Sequence, residues 1–320
     1  MTTPNDAFAT LRKYMNSRII GQTELVDKLL ITLLCSGHLL VEGAPGLAKT
    51  KAIKTLSGVI EATSHRIQFT PDLLPADITG SDVYRPQTNS FFFQKGPVFR
   101  NLILADEINR APAKVQSALL EAMGERQITV GNTTYQLPDL FMVMATQNPI
   151  EQEGTYPLPE AQLDRFLMYV KIGYPDIESE RLILKLVQGE EKQEPVFIPE
   201  AISQKTIFEA KTQVLNTYTS PELEEYMIQL IMATRNPTPY DEKLTRFIRF
   251  GTSPRGTIAL DLCSKANAWL NGRDFVTPAD IHTVAKDVLR HRIITSFEAK
   301  TEHIDSDDII DMLLERVPLP

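Results

Sequence analysis

An eight-residue loop between an apolar run and a helical pattern constrains this chain more than any other feature. The apolar run Leu39-Leu40-Val41 indicates a buried strand, and residues 51–56 indicate a helix; between them lies Gly43-Ala44-Pro45-Gly46-Leu47-Ala48-Lys49-Thr50. A glycine-bearing loop in this setting lets backbone N–H groups converge on a polyphosphate, and the helix N-terminus adds its positive dipole end. Lys49 would reach the β- and γ-phosphates, and the Thr50 hydroxyl would bind Mg²⁺. The loop therefore predicts a nucleoside triphosphate site.

Ala48 stands where loops of this kind usually have glycine. We expect it in the first turn of the helix, where φ is negative and alanine is well tolerated. Gly43 and Gly46 would then serve the tighter part of the loop. The alternative is an ordinary strand-to-helix turn followed by a chance Lys-Thr pair.

A second apolar run ends in two carboxylates. The run Asn101-Leu102-Ile103-Leu104-Ala105 is followed at once by Asp106 and Glu107. Acids at the carboxyl end of a strand suit a phosphate site at that edge of a parallel sheet. Asp106 would hold Mg²⁺, directly or through water, and Glu107 would polarise the water that attacks the γ-phosphate. A capping pair for the following helix is the alternative, but the phosphate loop favours a functional role.

Three further positions are candidates for nucleotide contacts. Ile20 and Gly21 lie in a short break between two helical patterns, where a segment of this kind often flanks the adenine; a plain helix–helix turn is the alternative. Asn148 follows a third apolar run, at 141–145, and its amide could reach the γ-phosphate or the attacking water. Its alternative is an Asx-turn before the next proline.

Two arginines are further candidate site residues. Arg165 follows an acidic residue, so a local salt bridge is the default interpretation. Arg255 falls in the first turn of a helix that begins after Ser253-Pro254. A cation there opposes the helix dipole, which points to an anion nearby, such as a nucleotide phosphate; a merely exposed arginine is the alternative.

Composition limits the remaining possibilities. The chain has 320 residues, enough for two domains, and 42% of them are hydrophobic, as in an ordinary globular protein. A net charge of −8 argues against broad nucleic-acid binding. The two cysteines show no metal-ligand spacing. There is no apolar run of membrane-spanning length and no signal-like N-terminus, so we expect a cytoplasmic protein without a membrane span.

The sequence also predicts how the chain is divided into domains. Hairpin signals occur near 83–94, which includes three consecutive phenylalanines, and near 127–137. Core burial and a partner-facing strand are both open for the phenylalanines. Residues 188–200 are rich in acids and proline and predict a linker. We therefore expect an α/β nucleotide-binding domain at 1–187 and an all-helical domain at 201–320.

Three motifs together resemble those of MoxR-type AAA+ ATPases. They are the loop at 43–50, the segment Ala105-Asp106-Glu107-Ile108-Asn109-Arg110, and the long run from Ala145-Thr146-Gln147-Asn148-Pro149 to Gln162-Leu163-Asp164-Arg165-Phe166. The likeness extends over about residues 18–175 and more loosely through the C-terminal helices. It implies a P-loop AAA+ core, a parallel sheet flanked by helices, followed by a C-terminal helical lid.

The resemblance also implies a role for each matching residue. Residues 43–50 would be Walker A, and Asp106 with Glu107 would be Walker B. Asn148 would be sensor 1. Arg165 would be the arginine finger that acts on a neighbouring subunit's nucleotide.

In the same way, Arg255 would be sensor 2 on the lid. The hairpin at 83–94 would be the insert in helix 2, and the one at 127–137 the pre-sensor-1 insert. ATP and Mg²⁺ would be bound, and a finger supplied by a neighbour implies a homo-oligomer, most simply a hexameric ring.

The function expected from this resemblance is an ATP-driven chaperone that remodels or matures protein complexes. Its partner would be a separate protein with a von Willebrand factor A domain. A chelatase-type motor subunit and a nucleotide-dependent switch with little hydrolysis are the alternatives. Glu107 distinguishes the last of these, because a switch does not need a catalytic base.

Overall fold

The computed structural model describes residues 3–149, 154–192, 195 and 197–320. Residues 150–153 of the long motif, and residues 193, 194 and 196 of the expected linker, lie outside the described part. The strands are β1 (Leu39–Glu42), β2 (Ser64–Gln68), β3 (Gly80–Arg85), β4 (Ser90–Lys95), β5 (Leu102–Asp106), β6 (Gln127–Val130), β7 (Thr133–Gln136), β8 (Met142–Gln147), β9 (Met168–Lys171), β10 (Ile248–Phe250) and β11 (Ile294–Thr295).

The helices follow the same order along the chain. They are α1 (Pro4–Arg18), α2 (Thr23–Leu34), α3 (Lys49–Ser57), α4 (Pro75–Thr79), α5 (Ala113–Glu125), α6 (Glu160–Leu163), α7 (Ile177–Glu191), α8 (Gln204–Leu215), α9 (Pro221–Arg235), α10 (Glu242–Phe247), α11 (Pro254–Leu270), α12 (Pro278–Leu289), α13 (Phe297–Thr301) and α14 (Ser306–Arg316).

A five-stranded sheet carries the first domain. Its strand order is β2-β5-β8-β1-β9, and every neighbouring pair is parallel. The apolar runs of the sequence supply the three inner strands β1, β5 and β8, which are covered on both faces. Side chains alternate between the faces: Leu39 and Val41 join the core beneath α1, α2 and α3, whereas Leu40 joins the core beneath α5. The predicted α/β class is confirmed.

The C-terminal domain is helical apart from the short antiparallel pair β10 and β11. Its helix starts follow the capping signals of the sequence. The Ser253 hydroxyl accepts a hydrogen bond from the Arg255 N–H at 3.3 Å, and Thr277 with Asp280 forms a capping box. Because α11 packs on α2 and α12 packs on β9, this domain lies directly against the α/β domain.

None of the helices within the described residues has the length and apolar character needed to cross a bilayer.

Candidate functional site

The loop at 43–50 connects β1 to α3 at the carboxyl edge of the sheet. Gly46 has φ +84°, a left-handed conformation that glycine adopts without strain. The expectation for Ala48 is wrong: it has φ +58° and ψ +13°, and the helix begins only at Lys49. Ala48 therefore precedes the helix in the left-handed region, where a Cβ costs roughly 1–2 kcal/mol.

Gly43 is required by a close approach between the loop and the end of β9. A Cβ on Gly43 would lie 2.4 Å from Ile172 Cγ1, well inside contact distance. The Gly43 N–H donates to the Gln147 carbonyl at 3.3 Å. Glycine thus lets the loop join two neighbouring strands at once.

The Lys49 ammonium is held over the mouth of this loop. It donates to the carbonyl oxygens of Gly43 and, at 3.5 Å, Gln147. Partial burial lowers the pKa of Lys49, while the carboxylates of Asp106 and Glu107 act in the opposite direction. The side chain is therefore already in place for a phosphate.

Asp106 ends β5 and is nearly buried. Its Oδ1 accepts a hydrogen bond from the Thr146 hydroxyl at 2.6 Å, and its Oδ2 accepts from Arg66 Nη2 at 2.6 Å and Nε at 3.0 Å. Thr146 and Arg66 come from the strands on either side, β8 and β2. The carboxylate is thus fixed in direction by both neighbours of its own strand.

Glu107 has φ +56°, so its backbone turns away sharply after β5. The Thr146 hydroxyl accepts its N–H at 2.9 Å. Its Oε2 accepts from Gln68 Nε2 at 2.7 Å and lies 3.3 Å from Arg110 Nε. Strained backbone of this kind persists where the surroundings hold it, as at catalytic sites.

These groups surround one cavity of about 280 Å³ at the carboxyl edge of the sheet. Its lining residues are Pro45, Gly46, Leu47, Ala48, Lys49, Thr50, Lys51, Asp106, Glu107 and Asn148. The Thr50 hydroxyl and the Asp106 carboxylate are the hard oxygen donors that Mg²⁺ prefers, so the site fits that ion. The two predicted Walker motifs and Asn148 are thereby brought together.

A second cavity, of about 480 Å³, adjoins the first on the side of α7. Ile20 lines it together with Tyr174, Ile183 and Val187, which makes it apolar enough for a nucleobase beside the phosphate loop. Gly21 has φ +78°, and a Cβ there would lie 2.9 Å from Pro175. Ile20 therefore faces the pocket, and Gly21 lets its turn pack against the start of α7.

Arg165 and Arg255 line neither of these cavities. Both line a third cavity, of about 310 Å³, together with Ser36, His38 and Leu167. Ser36 and His38 precede β1, and Leu167 precedes β9, so this cavity lies at the amino edge of the sheet. A four-residue parallel strand spans roughly 13 Å, which separates these arginines from their own phosphate loop.

The two hairpins pair as predicted, β3 with β4 and β6 with β7. The three phenylalanines differ in exposure, and none of them joins the buried core of the described residues. Phe93 stacks on Tyr135 of the other hairpin with ring centroids 4.1 Å apart, whereas Phe91, at the tip, is 71% exposed. The hairpins are therefore joined to each other by aromatic contact.

Several contributors to the site carry no motif of their own. Arg66 and Gln68 act through their place on β2, next to β5 in the sheet, and strand order cannot be read from one sequence. Thr146 could have been found, because it precedes Asn148 at the end of an apolar run. The apolar pattern of α7 is the one sequence signal that could have indicated Ile183 and Val187 as lining residues of the apolar cavity.

Comparison with known proteins gives matches along most of the chain. The model of the ATPase family associated with various cellular activities (AAA) matches residues 38–168, and an AAA lid domain matches 244–313. Chaperone MoxR1 of Mycobacterium tuberculosis is 43% identical over 94% of this chain and 79% of its own length. Protein MoxR of Paracoccus denitrificans is 31% identical, over 96% and 94%.

A crystal structure of a Cytophaga hutchinsonii protein has the same fold. It superposes with a TM-score of 0.91 at 44% identity and covers 99% of this chain and 96% of that one.

Proposed function

This chain belongs to the MoxR-type AAA+ ATPases, and we propose that it hydrolyses ATP to ADP and phosphate at residues 43–50. The observation that supports this proposal most strongly is the cavity that brings Lys49, Thr50, Asp106 and Glu107 together. Phosphoryl transfer needs positioned charge more than covalent chemistry, and this cavity supplies a cation, hard oxygen donors and a carboxylate base.

Each residue then has one task. Backbone N–H groups of the loop and Lys49 bind the β- and γ-phosphates, and Thr50 and Asp106 hold Mg²⁺. The bound ion supplies positive charge to the phosphate oxygens. Glu107 accepts a proton from the attacking water, for which its contacts with Gln68 and Arg110 must loosen. Asn148 orients that water or the γ-phosphate.

We further propose that the site is completed by a second copy of the chain. Arg165 and Arg255 lie at the amino edge of the sheet, opposite the phosphate loop. When one copy's carboxyl edge meets the next copy's amino edge, the contact is head to tail, and repetition forms a ring where the rotation between copies closes. A hexamer is the expected ring. Arg165, as arginine finger, and Arg255, as sensor 2, would then act on the neighbour's nucleotide.

The proposed task of this cycle is remodelling of a protein client in the cytoplasm. Tyr84 and Phe91 are exposed on the first hairpin, and the Phe93–Tyr135 stack would move both hairpins together. A separate von Willebrand factor A domain protein is the proposed partner. Copurification with a Glu107→Gln variant, which holds ATP, would identify the client.

ATP turnover and ATP binding, measured on the same samples, test the enzymatic proposal. Glu107→Gln should bind ATP as the parent does and lose turnover, because the amide cannot accept the proton. Glu209→Gln, an exposed acid on α8, is the matched control and should keep full turnover. Parental turnover in Glu107→Gln would contradict the assignment of the base.

A further inference from the structure

The cavity at the amino edge contains more positive charge than its neighbours neutralise. Four arginines line it, Arg126, Arg165, Arg255 and Arg292, against one carboxylate, Asp164. Its histidine, His38, is buried, which lowers its pKa to about 4 and leaves it neutral. An open cavity with this imbalance is suited to an anion.

The carboxylate of Asp164 does not neutralise the excess positive charge of this cavity. Its Oδ1 accepts from Arg292 Nε at 2.9 Å, and Arg292 is almost fully buried and also donates to the Phe166 carbonyl at 2.7 Å. Oδ2 accepts from the Ser253 hydroxyl at 3.0 Å and lies 3.7 Å from Arg255. Asp164 is therefore occupied mainly by a structural arginine and by the cap of α11.

A further cation, Lys211, lies beside Arg126 at a single turn. Arg126 Nη2 donates to the Ser36 carbonyl at 3.1 Å, and Lys211 Nζ donates to the Ser36 hydroxyl at 2.9 Å. No carboxylate within the described residues forms an ion pair with either of them. Lys211 is only 9% exposed, so its charge is held in a poorly solvated place next to a like charge.

Backbone strain coincides with these cations. Arg126 has φ +52° and Ser36 has φ +53°, both in the left-handed region that residues other than glycine rarely adopt. Arg126 also stands at the end of α5, where glycine or asparagine is the usual residue in that conformation. Strain and unneutralised charge at one point are typical of a binding site rather than of ordinary surface.

We propose that Arg126 is a third arginine that contacts the polyphosphate held by the neighbouring copy, beside Arg165 and Arg255, with Lys211 adding positive potential behind it. This inference rests on the proposed function, because it adds a contact to the same shared site. Arg126 immediately precedes β6, so the contact joins the neighbour's nucleotide to the base of the second hairpin.

Anion binding tests the inference without any hydrolysis. In a Lys49→Ala background, which disables the chain's own phosphate loop, calorimetric titration with tripolyphosphate at low salt should show saturable binding. Adding Arg126→Gln should weaken it about ten- to a hundredfold, the usual effect of removing one charged hydrogen bond. Adding Arg246→Gln, an exposed lid arginine paired with Glu302, should leave it unchanged.

Absence of tripolyphosphate binding to Lys49→Ala, or equal affinities with and without Arg126, would overturn the inference. Unchanged thermal unfolding of the Arg126→Gln variant excludes misfolding, and partial recovery with Arg126→Lys is expected because the charge returns without the bidentate fork. If the parent protein does not turn over ATP, the proposed function fails, but this binding experiment still decides for or against the anion site.

Mixed oligomers show whether the anion belongs to a neighbour. Arg126→Gln alone should turn over ATP about tenfold more slowly than the parent. Mixing it with Lys49→Ala, which retains Arg126 but cannot use ATP, should raise turnover above that of either variant alone. No increase would mean that Arg126 does not act across the interface.

Discussion

Lys49 and Arg165 lie at opposite edges of the same parallel sheet. Lys49 begins the helix reached from the carboxyl end of β1, and Arg165 shortly precedes the amino end of β9, which pairs with β1 in the register Leu39 to Met168. Both residues are cations suited to phosphate, yet one chain cannot bring them to one nucleotide. Their separation is the structural reason for expecting a site shared by two copies.

Removing the Lys49 ammonium should nearly abolish nucleotide binding. In the proposed site, Lys49 is the one side chain of the loop that would bring positive charge to the β- and γ-phosphates. Titration with a fluorescent ATP analogue would measure the loss in Lys49→Ala. Lys54→Ala, an exposed lysine on the same helix, should bind as the parent does. Equal affinity in both variants would remove Lys49 from the site.

The Thr146 hydroxyl should stabilise the fold as well as the site. It donates to Asp106 and accepts from the Glu107 N–H, and it is buried. Thr146→Val leaves a buried carboxylate oxygen and an N–H without this partner, which should cost roughly 1–3 kcal/mol of unfolding free energy. Urea denaturation measures the change, and Thr129→Val, on an exposed hairpin position, should be nearly neutral.

Ala48→Gly should stabilise the protein by roughly 0.5–1 kcal/mol. The change removes a left-handed cost of about 1–2 kcal/mol and adds about 0.5–1 kcal/mol of chain entropy. Ala52→Gly, within α3, should destabilise the protein, because Ala52 has a helical backbone in which glycine is less favourable than alanine. Thermal unfolding of the two variants compares them, and destabilisation by Ala48→Gly would contradict the observed backbone conformation.

The left-handed backbone conformation of Ala48 could not be predicted from the sequence. The strand before the loop, the acids after β5 and both hairpins follow from local pattern, because apolar runs and turn residues act over a few positions. The conformation at Ala48 depends on how the loop meets β8 and β9, which no local pattern encodes. Likewise, Arg66 and Gln68 reach the two acids after the second apolar run only because β2 neighbours β5.

We expect Lys211 to make the free energy of unfolding vary with pH in the alkaline range. Burial, followed by repulsion from Arg126, lowers its pKa from 10.5 to about 8. Between these pH values the unfolded chain holds more protons than the folded one, so stability should rise with pH, by up to about 1.4 kcal/mol per unit. Well below pH 8, Lys211 is protonated in both the folded and the unfolded chain, so it no longer contributes to the pH dependence of stability.

Urea denaturation between pH 7.5 and 9.5 would reveal this slope. Lys211→Met keeps most of the buried stem without the charge and should flatten the dependence. Identical pH profiles for the parent and Lys211→Met would show that the ammonium is not held in a strained environment.

The most direct test of a site shared between two copies is the ATP turnover of mixed oligomers. In the proposed site, Arg165→Ala would bind nucleotide but lack the finger, and Lys49→Ala would keep the finger but fail to bind nucleotide. Each should be inactive alone, with a loss on the order of 10³- to 10⁵-fold for the finger. Mixed, they should regain turnover, because some interfaces join an intact loop to an intact Arg165. A mixture as inactive as its components, or a strictly monomeric parent that hydrolyses ATP at full rate, would contradict a shared site.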